Sequence, residues 1–148
     1  ALSAKKEDKK LFIDKNNMGN LSFYYEMVER DKLGFMNSPD NYEIIKCEST
    51  QKFFKSIKLK KNIIKIDTQG YDEIIFQEIP KSVLKKNQIL IIEITPINEK
   101  KINFSKYREN LNLYKKFTDF DGNIYSKDQV MELSKKTKGK NIDLIFLK

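Results

Sequence analysis

The sequence predicts an α/β fold on a mostly parallel sheet with an antiparallel C-terminal strand. Three observations carry this. Residues 62–67 (NIIKID) and 89–94 (ILIIEI) are short and Ile-rich with little polar alternation, the pattern of strands covered on both faces. Between them, Ile74, Ile75, Phe76, Ile79, Val83 and Leu84 recur at near-helical spacing, and Asp72 and Glu73 favour the start of a helix. The chain then closes on a third apolar run, 142–147. A strand–helix–strand unit of this kind crosses over right-handed.

The remaining elements are read in order. Residues 1–3 look like the end of a strand, and 11–14 and 42–47 are weaker strand candidates. Ser49 caps a short helix through Ile57. Pro80 divides the 71–86 helix, since proline lacks the N–H and clashes with the preceding turn. Residues 104–111 read as helix and 113–120 as strand, with a turn at Asp121-Gly122 before Ile124-Tyr125. Ser126 and Gln129 make a capping box for a helix to about Lys138, with Gly139 as its left-handed C-terminal cap.

Length and composition fit one folded domain over residues 1–148. A chain of 148 residues buries roughly 70% of its unfolded surface, and 39% hydrophobic with 34% charged residues is unlike a disordered protein. The net charge of +8 raises nucleic-acid or anionic-membrane binding. The basic residues, all lysine except Arg30 and Arg108, are spread along the whole chain rather than clustered, so neither partner is expected. Lone Cys47 allows no internal disulfide, and without histidine no metal site is expected. No apolar run approaches the ~20 residues that span a bilayer, and the reading is a cytoplasmic protein.

Chemistry concentrates at two strand ends. In residues 63–72 a buried strand delivers Asp67, Thr68, Gln69 and Gly70 to its C-terminal end, where open α/β sheets bind ligands. Gly70 permits a tight turn and close ligand approach. Asp67 or Thr68 could equally cap the following helix, and chemistry alone leaves both readings open. Glu93 and Thr95 repeat the arrangement one strand over, with Glu93 either a proton acceptor or a structural anchor. Nothing here specifies a reaction: the chain has no phosphate loop and no triad.

The run Lys65-Ile66-Asp67-Thr68-Gln69-Gly70-Tyr71-Asp72, followed one helix later by ILIIE, resembles the "K-I-D-x-x-G-x-E" signature of the FkbM-type methyltransferases, with Asp72 in place of the usual Glu. Met18-Gly19-Asn20-Leu21-Ser22 resembles the family's "G-N-x-S" segment, residues 47–54 its pre-signature strand and helix, and Phe120-Asp121-Gly122 with 143–147 its C-terminal hairpin. The resemblance implies the C-terminal part of a Rossmann-like, seven-stranded, S-adenosylmethionine-dependent fold, with 62–67 as fourth strand and 89–94 as fifth. It implies Asp67 and Glu93 as catalytic residues, Asp67 and Thr68 beside the cofactor, and Gln69, Tyr71 and Thr95 on the acceptor side. These four strand-end groups, Asp67, Gln69, Tyr71 and Glu93, are expected to converge on one face.

The implied activity is O-methylation of a hydroxyl on a small molecule or glycan. The Gly-rich strand and loop that hold S-adenosylmethionine in such folds are not among these residues. The 148 residues are therefore expected to be inactive alone, with residues 62–67 at an exposed strand edge that favours self-association. The alternatives are a non-catalytic binding or interaction module keeping half of the fold and, behind it, a basic nucleic-acid-binding domain.

Overall fold

A computed structural model describes residues 1–14, 17, 21–29, 36–58, 60, 62–98 and 100–148. Met18, Gly19 and Asn20 of the expected "G-N-x-S" segment lie outside these. Among the described residues the architecture is mixed α/β, with two mixed sheets and five α-helices. The strands are β1 (Leu2–Ser3), β2 (Glu7–Ile13), β3 (Leu21–Ser22), β4 (Tyr42–Ser49), β5 (Asn62–Ile66), β6 (Asn87–Ile94), β7 (Lys116–Thr118), β8 (Ile124–Tyr125) and β9 (Ile142–Leu147). The helices are α1 (Thr50–Ser56), α2 (Asp72–Glu78), α3 (Lys81–Leu84), α4 (Phe104–Leu111) and α5 (Lys127–Lys135).

One sheet runs β1-β4-β2-β3 and the other β5-β6-β9-β7-β8. β5 and β6 are parallel and directly paired, as the Ile-rich runs joined by a helix require. β9 lies antiparallel between β6 and β7, and β8 pairs antiparallel with β7. This corrects the expected mostly parallel, seven-stranded arrangement: only one of the pairings in the five-stranded sheet is parallel. The antiparallel C-terminal strand and the turn at Asp121-Gly122 are as read, and the departure is that β7 and β8 add further antiparallel pairings, a direction that an apolar run alone does not show. β1 is a strand, as read, but it pairs with β4 in the other sheet.

Alternation along the strands sorts the five-stranded sheet into two faces. Ile66, Leu90, Ile92, Ile94, Leu144 and Phe146 are buried, and α2 and α4 pack on that side. Phe76 of α2 is fully buried, with its ring 5.3 Å from Tyr107 and 5.7 Å from Phe146. Polar groups inside are paired, as burial demands. Asn110 donates to the Phe76 carbonyl at 2.8 Å, and the Tyr114 hydroxyl to Asn87 Oδ1 at 2.5 Å.

On the opposite face Ile63 is 65% exposed, and Ile89, Ile91, Ile145 and Leu147 are only partly covered. β5 is also an edge strand of its sheet. The expectation of strands covered on both faces therefore fails for this sheet.

Local signals set most boundaries. Ser49 accepts from the Lys52 amide at the start of α1, and Pro80 separates α2 from α3. Ser126 and Gln129 form the reciprocal capping box of α5. That helix stops at Lys135, where Lys136 turns extended. Gly139 has φ +137° but lies three residues past this turn, so it is not the helix cap expected. β2 begins at Glu7 rather than at Leu11, because its charged first half pairs with β4 in register.

Two outcomes follow. Phe76→Ala removes the ring that three aromatic neighbours share and is expected to lower unfolding free energy by about 3–5 kcal/mol in urea. Ile63→Lys is expected to leave stability within about 0.5 kcal/mol while reducing concentration-dependent association in sedimentation velocity.

Candidate functional site

The 67–72 turn is organised by Asp72. Its carboxylate is fully buried and accepts from the Thr68 amide (Oδ1, 3.2 Å) and the Gly70 amide (Oδ2, 3.2 Å). Within this loop Gln69 and Gly70 adopt positive φ, +49° and +89°. A Cβ on Gly70 would stand 2.3 Å from Ile97 Cδ1 and 3.3 Å from Met27 Cγ, so glycine is required here by both space and conformation. Ser22 donates to the Gln69 carbonyl at 2.7 Å, tying β3 to the same turn.

The sequence-predicted residues are distributed around this turn as follows. Asp67 is exposed and pairs with Lys65 at 2.8 Å on the open face of the sheet. Thr68 Oγ1 is buried beside the Asp72 carboxylate, which it helps keep charged, without reaching hydrogen-bond geometry to any group among the described residues. Glu93 accepts from Thr95 Oγ1 at 2.9 Å and from Asn141 Nδ2 at 3.0 Å. The strand registers pair Ile66 with Ile92, one residue before Asp67 and Glu93, and set Glu93 opposite Asp143, so carboxylates follow the ends of this part of the sheet. Among the described residues no group of His, Cys, Asp or Glu could hold a metal ion.

Tyr71 goes elsewhere. Its ring is buried against Phe23 (4.9 Å) and Tyr24 (5.7 Å), and its hydroxyl lies 3.0 Å from Ser3 Oγ. The expected convergence of Asp67, Gln69, Tyr71 and Glu93 on one face is thus not seen, because the reversed chain at Gln69-Gly70 turns the next side chain inward. Tyr71 instead lines an open cleft of about 520 Å³ with Lys9, Phe23, Tyr24, Ile74 and Lys101.

Sequence reasoning placed Asp72 and Glu73 only as favourable charges at a helix start and missed that both are buried. Glu73 Oε2 accepts from Lys100 Nζ at 2.5 Å, and the same ammonium donates to the Thr95 carbonyl. Both side chains of this ion pair are almost wholly inaccessible. Glu73 Oε1 has no hydrogen-bond partner among the described residues, although the nearby Ser134 hydroxyl favours its charge. That hydroxyl bonds Tyr107 at 3.0 Å. The available signal was a helix with acids on the same side as its apolar residues.

Burial dominates both titrations. Desolvation pushes Asp72 from 3.8 up to about 6, against the amides that favour its charge, with Glu93 adding to the rise. Desolvation likewise pushes Glu73 from 4.5 up to about 7, with Lys100 opposing.

Comparison with protein-family models, curated proteins and solved structures finds no match. No helix among the described residues is long and apolar enough to cross a membrane. The class of protein that fold and site define is a mixed α/β domain with a strand–turn–helix element at the end of its parallel pair.

The folded state holds more protons than the unfolded chain at Asp72, so the stability from this group is complete below about pH 4 and is lost as pH rises through 6. Asp72→Asn removes that dependence. The excess stability of wild type over the variant is expected to narrow by roughly 3 kcal/mol between pH 4 and 8 in urea titrations, and a widening would contradict the assignment. Gly70→Ala is expected to destabilise by about 2 kcal/mol or more, as measured by the thermal midpoint.

Proposed function

We propose that this chain forms the acceptor side of an S-adenosylmethionine-dependent O-methyltransferase resembling the FkbM family, acting on a hydroxyl of a glycan or secondary metabolite. The observation that carries the reading is the KIDTQGYD element. Its residues form a strand end, a glycine-dependent turn and a helix start beside a parallel neighbour, where open α/β sheets bind ligands. The antiparallel C-terminal strand supports the same reading.

When bound, S-adenosylmethionine supplies an electrophilic methyl group. The fit is partial: Asp67 offers an exposed carboxylate and Thr68 a hydroxyl beside the turn, while these residues include no Gly-rich strand and loop. Asp67 orients the acceptor hydroxyl and takes its proton, with Glu93 next to it across the strand ends. Thr95 fixes the Glu93 carboxylate. Gln69 bounds the acceptor side of the turn, while Tyr71, with its ring turned inward, takes no part there. Most of the rate comes from alignment of the acceptor oxygen with the methyl group. Buried, unpaired Cys47 accords with a cytoplasmic location, which belongs to the proposal, as does the absence of a nucleic-acid partner.

The alternative, a non-catalytic interaction module, is favoured by one feature, the unpaired β5 edge with exposed Ile63. Calorimetric titration separates the two. S-adenosylmethionine is expected to give negligible heat with residues 1–148 and micromolar binding with a chain extended upstream by a Gly-rich strand and loop. In that longer chain, Asp67→Asn is expected to lower methyl transfer roughly 10²–10⁴-fold with cofactor binding retained. Micromolar binding by the 148 residues alone, or unchanged transfer by the variant, would contradict the proposal.

A further inference from the structure

The cleft beside Tyr71 is lined by none of the carboxylates at the strand ends and has a different chemistry. Its walls are aromatic. Phe23 stands edge-on to Tyr71 at 77°, and Tyr24 is tilted against the same ring at 45°. With Ile74 these rings present a firm apolar corner, since Tyr24, Tyr71 and Ile74 are all buried in the core. The volume of about 520 Å³ suits one small molecule of one or two rings.

Two lysines complete the cleft, Lys9 with one long ion pair and Lys101 with none among the described residues. Lys9 Nζ lies 4.9 Å from the Tyr71 ring centroid and 5.4 Å from that of Phe23. Its side chain is only 26% exposed, and it makes no hydrogen bond among the described residues. The carboxylate oxygen it approaches, Glu7 Oε1, is 4.0 Å away and already accepts from Ser3 Oγ at 2.5 Å. Lys101 is exposed and has no ion pair or hydrogen bond among the described residues. Its neighbour shows the contrast: Lys100 is buried and spent on Glu73 and the Thr95 carbonyl. A partly desolvated ammonium held over ring faces, with a second cation lining the same cleft, gains from an anion seated there.

We propose that this cleft binds a hydroxylated ring carrying one anionic group, a sugar acid or a sugar phosphate. The ring packs on Phe23, the partly exposed ring of the lining, and the carboxylate or phosphate accepts from Lys9 and Lys101. This binding stands apart from the reading of the preceding subsection, whose proton acceptor Asp67 lies on the open face of the sheet and does not line the cleft.

Nuclear magnetic resonance titration of the ¹⁵N-labelled chain with glucuronate, glucose 6-phosphate and glucose, without cofactor, tests it. Either anion is expected to shift the amides of Lys9, Phe23, Tyr24, Tyr71, Ile74 and Lys101, and the tighter of the two identifies the anionic group. Glucose and the variants Lys9→Gln and Lys101→Gln are each expected to bind about tenfold more weakly, the loss of one charge-assisted contact. Should Lys9→Gln lose its dispersed spectrum, exposed Lys101→Gln decides alone. Absence of shifts, shifts elsewhere, equal binding of glucose, or undiminished binding by folded variants would each overturn the proposal. Tighter binding of a single-stranded oligonucleotide at the same amides would overturn it too. Because no cofactor is present, failure here leaves the S-adenosylmethionine titration untouched.

Discussion

The Asp72 carboxylate is the constraint on which the rest of the candidate site depends. With no access to solvent, it satisfies two amides of a loop whose Gln69 and Gly70 both turn left-handed. A buried carboxylate is unfavourable unless its oxygens are occupied, and the loop amides are unfavourable unless an acceptor reaches them. Each therefore holds the other in place. From this clamp follow the outward position of Asp67, the inward turn of Tyr71 and the start of α2, whose next acid, Glu73, is buried against Lys100.

The same turn divides the chemistry of the domain between two sides. On the open face of the five-stranded sheet, carboxylates line the strand ends above a strip of partly covered isoleucines. On the other side, aromatic rings and lysines surround a cleft between the first sheet and α2. The buried Glu73–Lys100 pair pins the segment after β6 to α2. Breaking one partner of such a pair leaves a buried charge uncompensated. The pair's first effect is therefore to fix where the segment after β6 runs, including the neighbouring Lys101.

Much of this was legible in the sequence where one local signal decides. The Ile-rich β5 and β6, the break at Pro80, the cap at Ser49 and the Ser126–Gln129 box all lie where propensity and capping place them. The sheet as a whole was not legible, because apolar runs show that strands exist and leave their direction open. β9 is antiparallel, as read, but β7 and β8 are too, and the Ile-rich runs read as covered on both faces leave one face partly open, with Ile63 exposed at the edge read for β5. Among site residues, Gly70 was marked for its turn and its φ of +89° agrees. Asp72 and Glu73 read only as acids favouring a helix start, because burial of an acid depends on partners distant in sequence, such as Lys100. Tyr71 was read beside Gln69, but a two-residue left-handed reversal sends consecutive side chains to opposite sides.

Amide hydrogen exchange at Thr68 and Gly70 tests the clamp most directly. In wild type both amides are expected to be protected well above the neighbouring exposed Asp67. In Asp72→Ala, both should exchange faster by tenfold or more, about 1.4 kcal/mol of lost protection, while the β6 amides stay protected. Unchanged protection at Thr68 and Gly70 in a folded Asp72→Ala protein would contradict the account, for the turn would then be held by something other than the buried carboxylate.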